Sequence, residues 1–264
     1  MVLPEYKSLS PFKEATRIHF RVIWALILRE TRSTFGTSAI GYLWAILTPA
    51  LGISLLVFIF SLASRQPPFG YSLALFFATG FLPFEFYRKL ANSLMTVIDA
   101  NKALLVYPIV YPLSAIIARY TLITITYVII MFSFCCVIIF MGLADFPSFP
   151  MKLAFAFISV SLLGLGVGLV NSSLVNLWPS WRHIWAITQR PMFFISGLFF
   201  IPSKLPEYAL DVLKWNPVLH CIEFIRSAYY PNYESRVLDV TYLLTTSFLL
   251  IIVGLFAERL FRNR

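Results

Sequence analysis

The sequence predicts an all-α membrane protein forming one domain, 1–264. It has six transmembrane helices, an N-terminal amphipathic helix in the membrane interface, and a re-entrant helical hairpin between helices five and six. Three observations carry this. First, 59% of the 264 residues are hydrophobic and only 12% are charged, about half the charged share of a soluble domain; the mean hydropathy is +0.80. A soluble fold of this size has too little interior for so much apolar side chain, so an ordinary soluble enzyme, a disordered chain and a disulfide scaffold are excluded. Second, the apolar runs are long and continuous and lack the alternation of a membrane barrel. Third, the basic residues gather beside alternate ends of those runs.

The start does not read as a cleavable signal: Pro4 and Glu5 come early, and no apolar core follows within the first 17 residues. Over 12–34, Lys13, Arg17, Arg21 and Arg29 fall on one helical line with Arg32 beside it, while Ile18, Val22, Ile23, Leu26 and Ile27 lie mainly elsewhere. That pattern is a basic helix lying in the interface or, alternatively, a charged lead-in to the first span. Spans follow at about 41–63, with Pro49 as a kink, 71–87, 113–141, 151–177, 183–201, with Pro191 inside, and 237–257. With both termini inside, fifteen of the 21 Lys and Arg residues lie in the cytoplasmic segments 1–40, 88–119, 178–190 and 258–264. Only Arg65, Lys152, Lys204, Lys214, Arg226 and Arg236 lie outside. The net charge of +9 is therefore read as a topology signal rather than a nucleic-acid surface.

The segment 202–236 is too apolar for a solvated loop. Pro206 opens a short helix to Trp215 and Pro217 a second to about Tyr230. Neither can cross alone, so the pair re-enters the outer leaflet or lies on it as a cap. Non-helical backbone at a re-entrant apex must be covered by protein or line a water-filled cavity, which suggests a gate or pore mouth.

No P-loop, HExxH or GxSxG motif occurs, and no catalytic residue or metal ligand is nominated. His19, His183 and His220 are far apart, and Cys135, Cys136 and Cys221 lack metal-ligand spacing. Energy must come from another chain or an ion gradient. Ser161, Gly164, Gly166 and Gly168 make a smooth packing surface, within one protomer or between two. Trp178, Trp181, Trp185, Gln189, Met192, Phe193, Ser196, Phe199 and Phe200 recur at helical steps. They form an aromatic path for sugar rings, or an interfacial tryptophan belt with ordinary packing beyond it. Arg119, Arg190 and Glu85 lie near span ends; the two arginines either line a path for an acidic polymer or snorkel to the interface. The stretch 91–112, holding Asn92, Asp99, Asn101 and Lys102 and then Tyr107-Pro108 and Tyr111-Pro112, is the substantial inner loop where a soluble motor would dock, together with the N-terminal helix.

Three segments resemble the permease subunit of ABC-2 type exporters, in particular that of capsular polysaccharide exporters. They are Leu26-Ile27-Leu28-Arg29-Glu30 with Arg32, Phe35, Gly36, Ile40 to Trp44 and Pro49; Ser196-Gly197-Leu198-Phe199-Phe200; and Asn216 to Arg226 as NP…H..E..R. Singly these are weak patterns; in this order, over nearly the whole chain, they are fairly specific. The resemblance implies a homodimer in the bacterial inner membrane, both termini cytoplasmic, working with two copies of an ATPase subunit. That subunit would bind ATP and Mg, and this chain would hold no cofactor. It further implies a lipid-linked polysaccharide substrate and periplasmic and outer-membrane export partners. Carried onto this sequence, it assigns Tyr42, Trp44, Trp185, Gln189, Arg190, Phe193, Phe199 and Phe200 to a substrate channel. An outer gate would comprise Asn216, Pro217, His220, Glu223 and Arg226, and ATPase coupling would use Arg29, Glu30, Asn92, Asp99, Asn101 and Lys102. Glu85 departs from the pattern, because many relatives are wholly apolar there. The alternatives are an ABC-2 permease for O-antigen, teichoic acid or a drug, a membrane-embedded glycan- or lipid-modifying enzyme, and a non-transporting scaffold.

Overall fold

The computed structural model describes residues 11–36, 39–107 and 109–261, the side chains of 11–15, 39 and 261 excepted. Pro4, Glu5, Pro108, Arg262, Arg264 and the Lys13 side chain thus lie outside the described residues. All regular elements among the described residues are helical: α1 (Pro11–Phe35), α2 (Ala39–Leu62), α3 (Leu73–Met95), α4 (Val97–Ala100), α5 (Pro112–Phe140), α6 (Pro150–Leu177), α7 (Trp181–Ile195), a 3₁₀ turn (Pro202–Lys204), α8 (Glu207–Leu213), α9 (Pro217–Tyr229) and α10 (Val240–Phe261). Proline opens α5, α6 and α9 at a position whose N–H would go unpaired anyway. Asn216 caps α9 by accepting from the Val218 N–H at 3.0 Å.

Four helices are long and apolar enough to cross a membrane, over Ile40–Leu62, Pro112–Phe140, Pro150–Leu177 and Val240–Leu260. The other two segments read as spans differ for stated reasons. In α3, the helix runs to Met95, past the expected end at 87, because Leu90, Ala91 and Leu94 continue its buried face beyond Arg88 and Lys89. In α7, the helix stops at Ile195 instead of 201. Its 15 residues rise about 22 Å, short of a hydrocarbon core of about 30 Å. Gly197 ends it, with φ +85°, the left-handed residue that commonly follows a helix C-cap.

The core is built on α6, which lies between α3 and α10. A Cβ on Gly164 or Gly168 would meet the Leu90 or Leu94 side chain of α3 at 2.8 and 2.7 Å, and one on Gly166 would meet Leu250 of α10 at 2.9 Å. The small-residue surface of α6 therefore packs within the chain, allowing the close backbone approach that lipid-embedded helices need. The two halves of 202–236 are unlike each other. Helix α8 buries none of its residues, whereas α9 is buried from Val218 through Tyr229 against α3, α6 and α10. Helix α1 packs on α5 through buried Leu26 and Glu30 and leaves Phe20, Trp24 and Leu28, one four-residue stripe, exposed.

Candidate functional site

Two polar junctions and one aromatic cluster bring together most of the residues nominated from the sequence; Tyr42, Trp44, Arg190 and Lys102 stand outside them. The first junction centres on Glu30, near the end of α1. Arg119 of α5 grips its carboxylate with Nη2 at 2.7 and 2.8 Å and Nε at 3.2 Å, and spends Nη1 on the Ser93 carbonyl at 3.1 Å. Asn101, just past α4, donates to Glu30 Oε1 at 3.2 Å and to the Val97 carbonyl at 2.9 Å, while its own oxygen accepts from Arg29. Beside it Arg182 of α7 pairs with Asp99, and the Trp185 indole donates to Asn92 at 2.7 Å. Helices α1, α3 and α5 thus meet through the Glu30–Arg119 bonds, and α7 is tied separately to α4 by the Arg182–Asp99 pair and to α3 by the Trp185–Asn92 bond; the charged ones are stronger than the neutral ones.

The second junction lies inside the protein. Arg226 and Glu223 of α9 are both fully buried, 3.8 Å apart. Tyr233 and Ser235 each donate to the Glu223 carboxylate at 2.6 Å. Burial and then the adjacent carboxylate push the Tyr233 phenol far above its usual range, so it remains a donor. Arg226 donates to the carbonyls of Gly197 at 2.7 Å, Phe200 at 3.2 Å and Leu198 at 3.4 Å, and its guanidinium stands 4.1 Å from the Phe76 ring. The chain beyond α7 leaves these carbonyls without helical partners, and Arg226 satisfies them. Gly80 of α3 makes the room, since a Cβ there would lie 3.0 Å from Arg226 Nη2. His220 accepts the Asp239 N–H on Nδ1 at 3.0 Å, so its proton sits on Nε2, which donates to the Lys214 carbonyl at 2.8 Å. Asn216 reaches Ser196 Oγ at 3.0 Å.

Between the junctions lies the aromatic cluster. Phe193 packs edge-on to Phe84, Phe194 and Phe199 with centroids 5.3–5.5 Å apart, and Phe60 of α2 and Phe77 of α3 extend it.

A family model described as the ABC-2 type transporter matches residues 21–230. The chain belongs to this family. Among curated relatives, the polysialic acid transport protein KpsM of Escherichia coli is 30% identical over 91% of this chain and 92% of its own length. The capsule polysaccharide export inner-membrane protein CtrC of Neisseria meningitidis is 27% identical over 92% of each. Its counterpart BexB of Haemophilus influenzae is 25% identical over 95% of each.

In this ABC-2 chain the three family-like segments converge on the two junctions. The first supplies Arg29 and Glu30; the second supplies the carbonyls that the third, through Arg226, binds. Of the channel residues, Phe193 and Phe199 enter the aromatic cluster, Trp185 belongs to the Glu30 side and Gln189 is buried beside Tyr87. Phe200 contributes its carbonyl to Arg226. Arg190 is exposed on α7. Tyr42 stacks on Phe35 at 4.7 Å, and Trp44 is exposed on α2. Lys102 is exposed and apart from the Glu30 bonds. Arg119 is bound to Glu30, so its charge does not stand free for a polymer path. Sequence reasoning missed Arg182, Tyr233 and Ser235 as partners. The signal for the last two was a glutamate in an otherwise apolar helix, which must find donors when buried.

Proposed function

We propose that this chain is the permease subunit of an ATP-driven exporter that moves capsular polysaccharide from the cytoplasm across the inner membrane, with ATP and Mg bound and hydrolysed by a separate subunit. The observation that carries this reading is the extent of similarity: three capsule-export or polysialic acid transport permeases align over 91% to 95% of the chain. On this reading a homodimer meets two ATPase copies, both termini face the cytoplasm, and the six crossings are α2, α3, α5, α6, α7 with the turn after it, and α10. The exposed stripe Phe20, Trp24 and Leu28 supports an interfacial α1, its ring-bearing side in the acyl boundary. The buried α9 supports a re-entrant segment covered by protein.

The mechanism follows from the junctions. A motor docked on 91–112 pushes α4; the Glu30 bonds pass that motion to α1 and α5, and the Arg182–Asp99 and Trp185–Asn92 bonds pass it to α7. Helix α7 carries Phe193, and its end is fastened to α9 by Arg226, so displacement of α7 reaches both the aromatic cluster and 202–236. Deleting the gene and comparing polymer inside the cell with polymer on its surface tests the function. Full-length polymer retained in the cytoplasm is the expected result. Loss of all polymer would instead assign the chain to synthesis.

A further inference from the structure

A cavity of about 800 Å³ lies between α2, α3 and α5, with Thr34 and Phe35 of α1 in its lining, and borders the Glu30 junction at Asn92 and Ser93. That volume is within the roughly 300–1,000 Å³ of small-ligand sites. Its lining is graded. Arg88, Lys89 and Thr96 stand toward the α1 end, and Gly52, Phe81 and Ile130 at the other. Because α2 and α5 run opposite to α3, all three helices agree on which end is polar. Along α3 the step from Lys89 to Phe81 is about 12 Å of helix rise, so the charged end and the apolar end are separate places.

The charges are unbalanced. Glu85 pairs with Arg88 at 2.5 Å, and it is the one carboxylate in the lining. Lys89 is exposed and has no hydrogen bond or ion pair among the described residues. Arg88 keeps 43% of its side chain accessible, leaving guanidinium N–H groups beyond the one on Glu85. The lining therefore offers one unmatched positive charge, hydrogen-bond donors beside it, and an apolar sleeve leading away. A phosphodiester monoanion on an acyl tail matches each feature: the charge, the acceptors and the chain. Basic pockets between membrane helices recognise anionic lipid headgroups by the same physics. This also gives Glu85 a role, orienting Arg88 toward the cavity mouth.

We propose that the α2–α3–α5 cavity binds a phosphate-bearing lipid, its phosphate at Lys89 and Arg88 and its acyl chain running past Gly52, Phe81 and Ile130. The chemistry required is a phosphate monoanion on an acyl chain, carried by a membrane phospholipid or by the lipid end of the exported glycan; the site itself goes beyond the export reading, and only the second source rests on it.

The test uses the full chain, reconstituted in bilayers of equal parts phosphatidylethanolamine and phosphatidylglycerol, extracted into detergent and weighed by native mass spectrometry. Wild type should retain one phosphatidylglycerol per chain in preference to phosphatidylethanolamine. Lys89→Gln should retain it roughly fivefold less, the scale of one lost lysine–headgroup attraction. Thr126→Trp, which fills the cavity without changing charge, should also lose it, and Lys102→Gln, exposed elsewhere, should match wild type. Unchanged retention in both cavity variants overturns the proposal, as does equal loss in Lys102→Gln. No retained lipid in wild type overturns it too, the outcome expected if a second copy of the chain fills the cavity. Chain purified from hosts with and without polymer synthesis separates the sources. A phospholipid mass in both assigns a membrane lipid, and a glycan-bearing mass confined to the first assigns the substrate's lipid end. Retention is read on the protein and export at the cell surface, so either idea can fail alone.

Discussion

The two glutamate–arginine junctions solve opposite problems. Glu223 and Arg226 are one helical turn apart and wholly buried, and the carboxylate takes its hydroxyl donors from 10 and 12 residues along the chain. Once α9 is in place this unit is completed by the chain just after it and by the carbonyls at the end of α7. Glu30 and Arg119 are 89 residues apart and retain 6% and 13% side-chain exposure; each belongs to a different helix. The Glu223 junction cannot open without leaving charges in an apolar interior. Opening the Glu30 junction separates helices where the side chains already keep some contact with water. Charge sealed in the interior suits a fixed fastening, and charge at a partly open rim suits a joint that moves.

That contrast can be broken by experiment. Glu223→Ala leaves Arg226 buried without its counter-charge and should destabilise the chain by about 3–5 kcal/mol, measured by thermal unfolding in detergent; a loss no larger than that of a rim variant would erase the distinction. Arg119→Ala should cost about 1.5–3 kcal/mol, as hydrogen bonds between charged groups do. With the ATPase present, hydrolysis should persist while polymer export falls; export at the wild-type rate would remove this junction from the coupling path. Asn101→Ala removes neutral-donor bonds to Glu30 and Val97 and should cost about 0.5–1.5 kcal/mol in the same unfolding assay. Arg182→Ala breaks the exposed pair beside the Glu30 junction, with side chains 45% and 49% accessible. It should shift stability by no more than about 1 kcal/mol, less in high salt. A larger, salt-insensitive shift would place that pair inside the joint rather than at its edge.

Much of the architecture was legible in the residues. Hydropathy and helical period are properties of neighbouring residues, so the apolar segments, the basic line of α1, the proline-opened helices and the polar loop after α3 could all be read locally. The end of α7 was also written there, in Ser196-Gly197, but a continuous apolar run masked the stop. Burial of α9 against exposure of α8 could not be read, because both halves of 202–236 carry similar apolar residues and only packing against α3, α6 and α10 separates them. Partner choice was equally hidden. The sequence alone determined that Glu30, Arg119, Asn101, Glu223 and Arg226 would stand at helix ends or in apolar surroundings, where a charge needs a partner. Only the tertiary structure decided which partner each one takes, because bonds spanning 10 to 29 residues around Glu223 and Arg226 and 71 to 89 residues around Glu30 depend on how the segments pack and leave no local pattern.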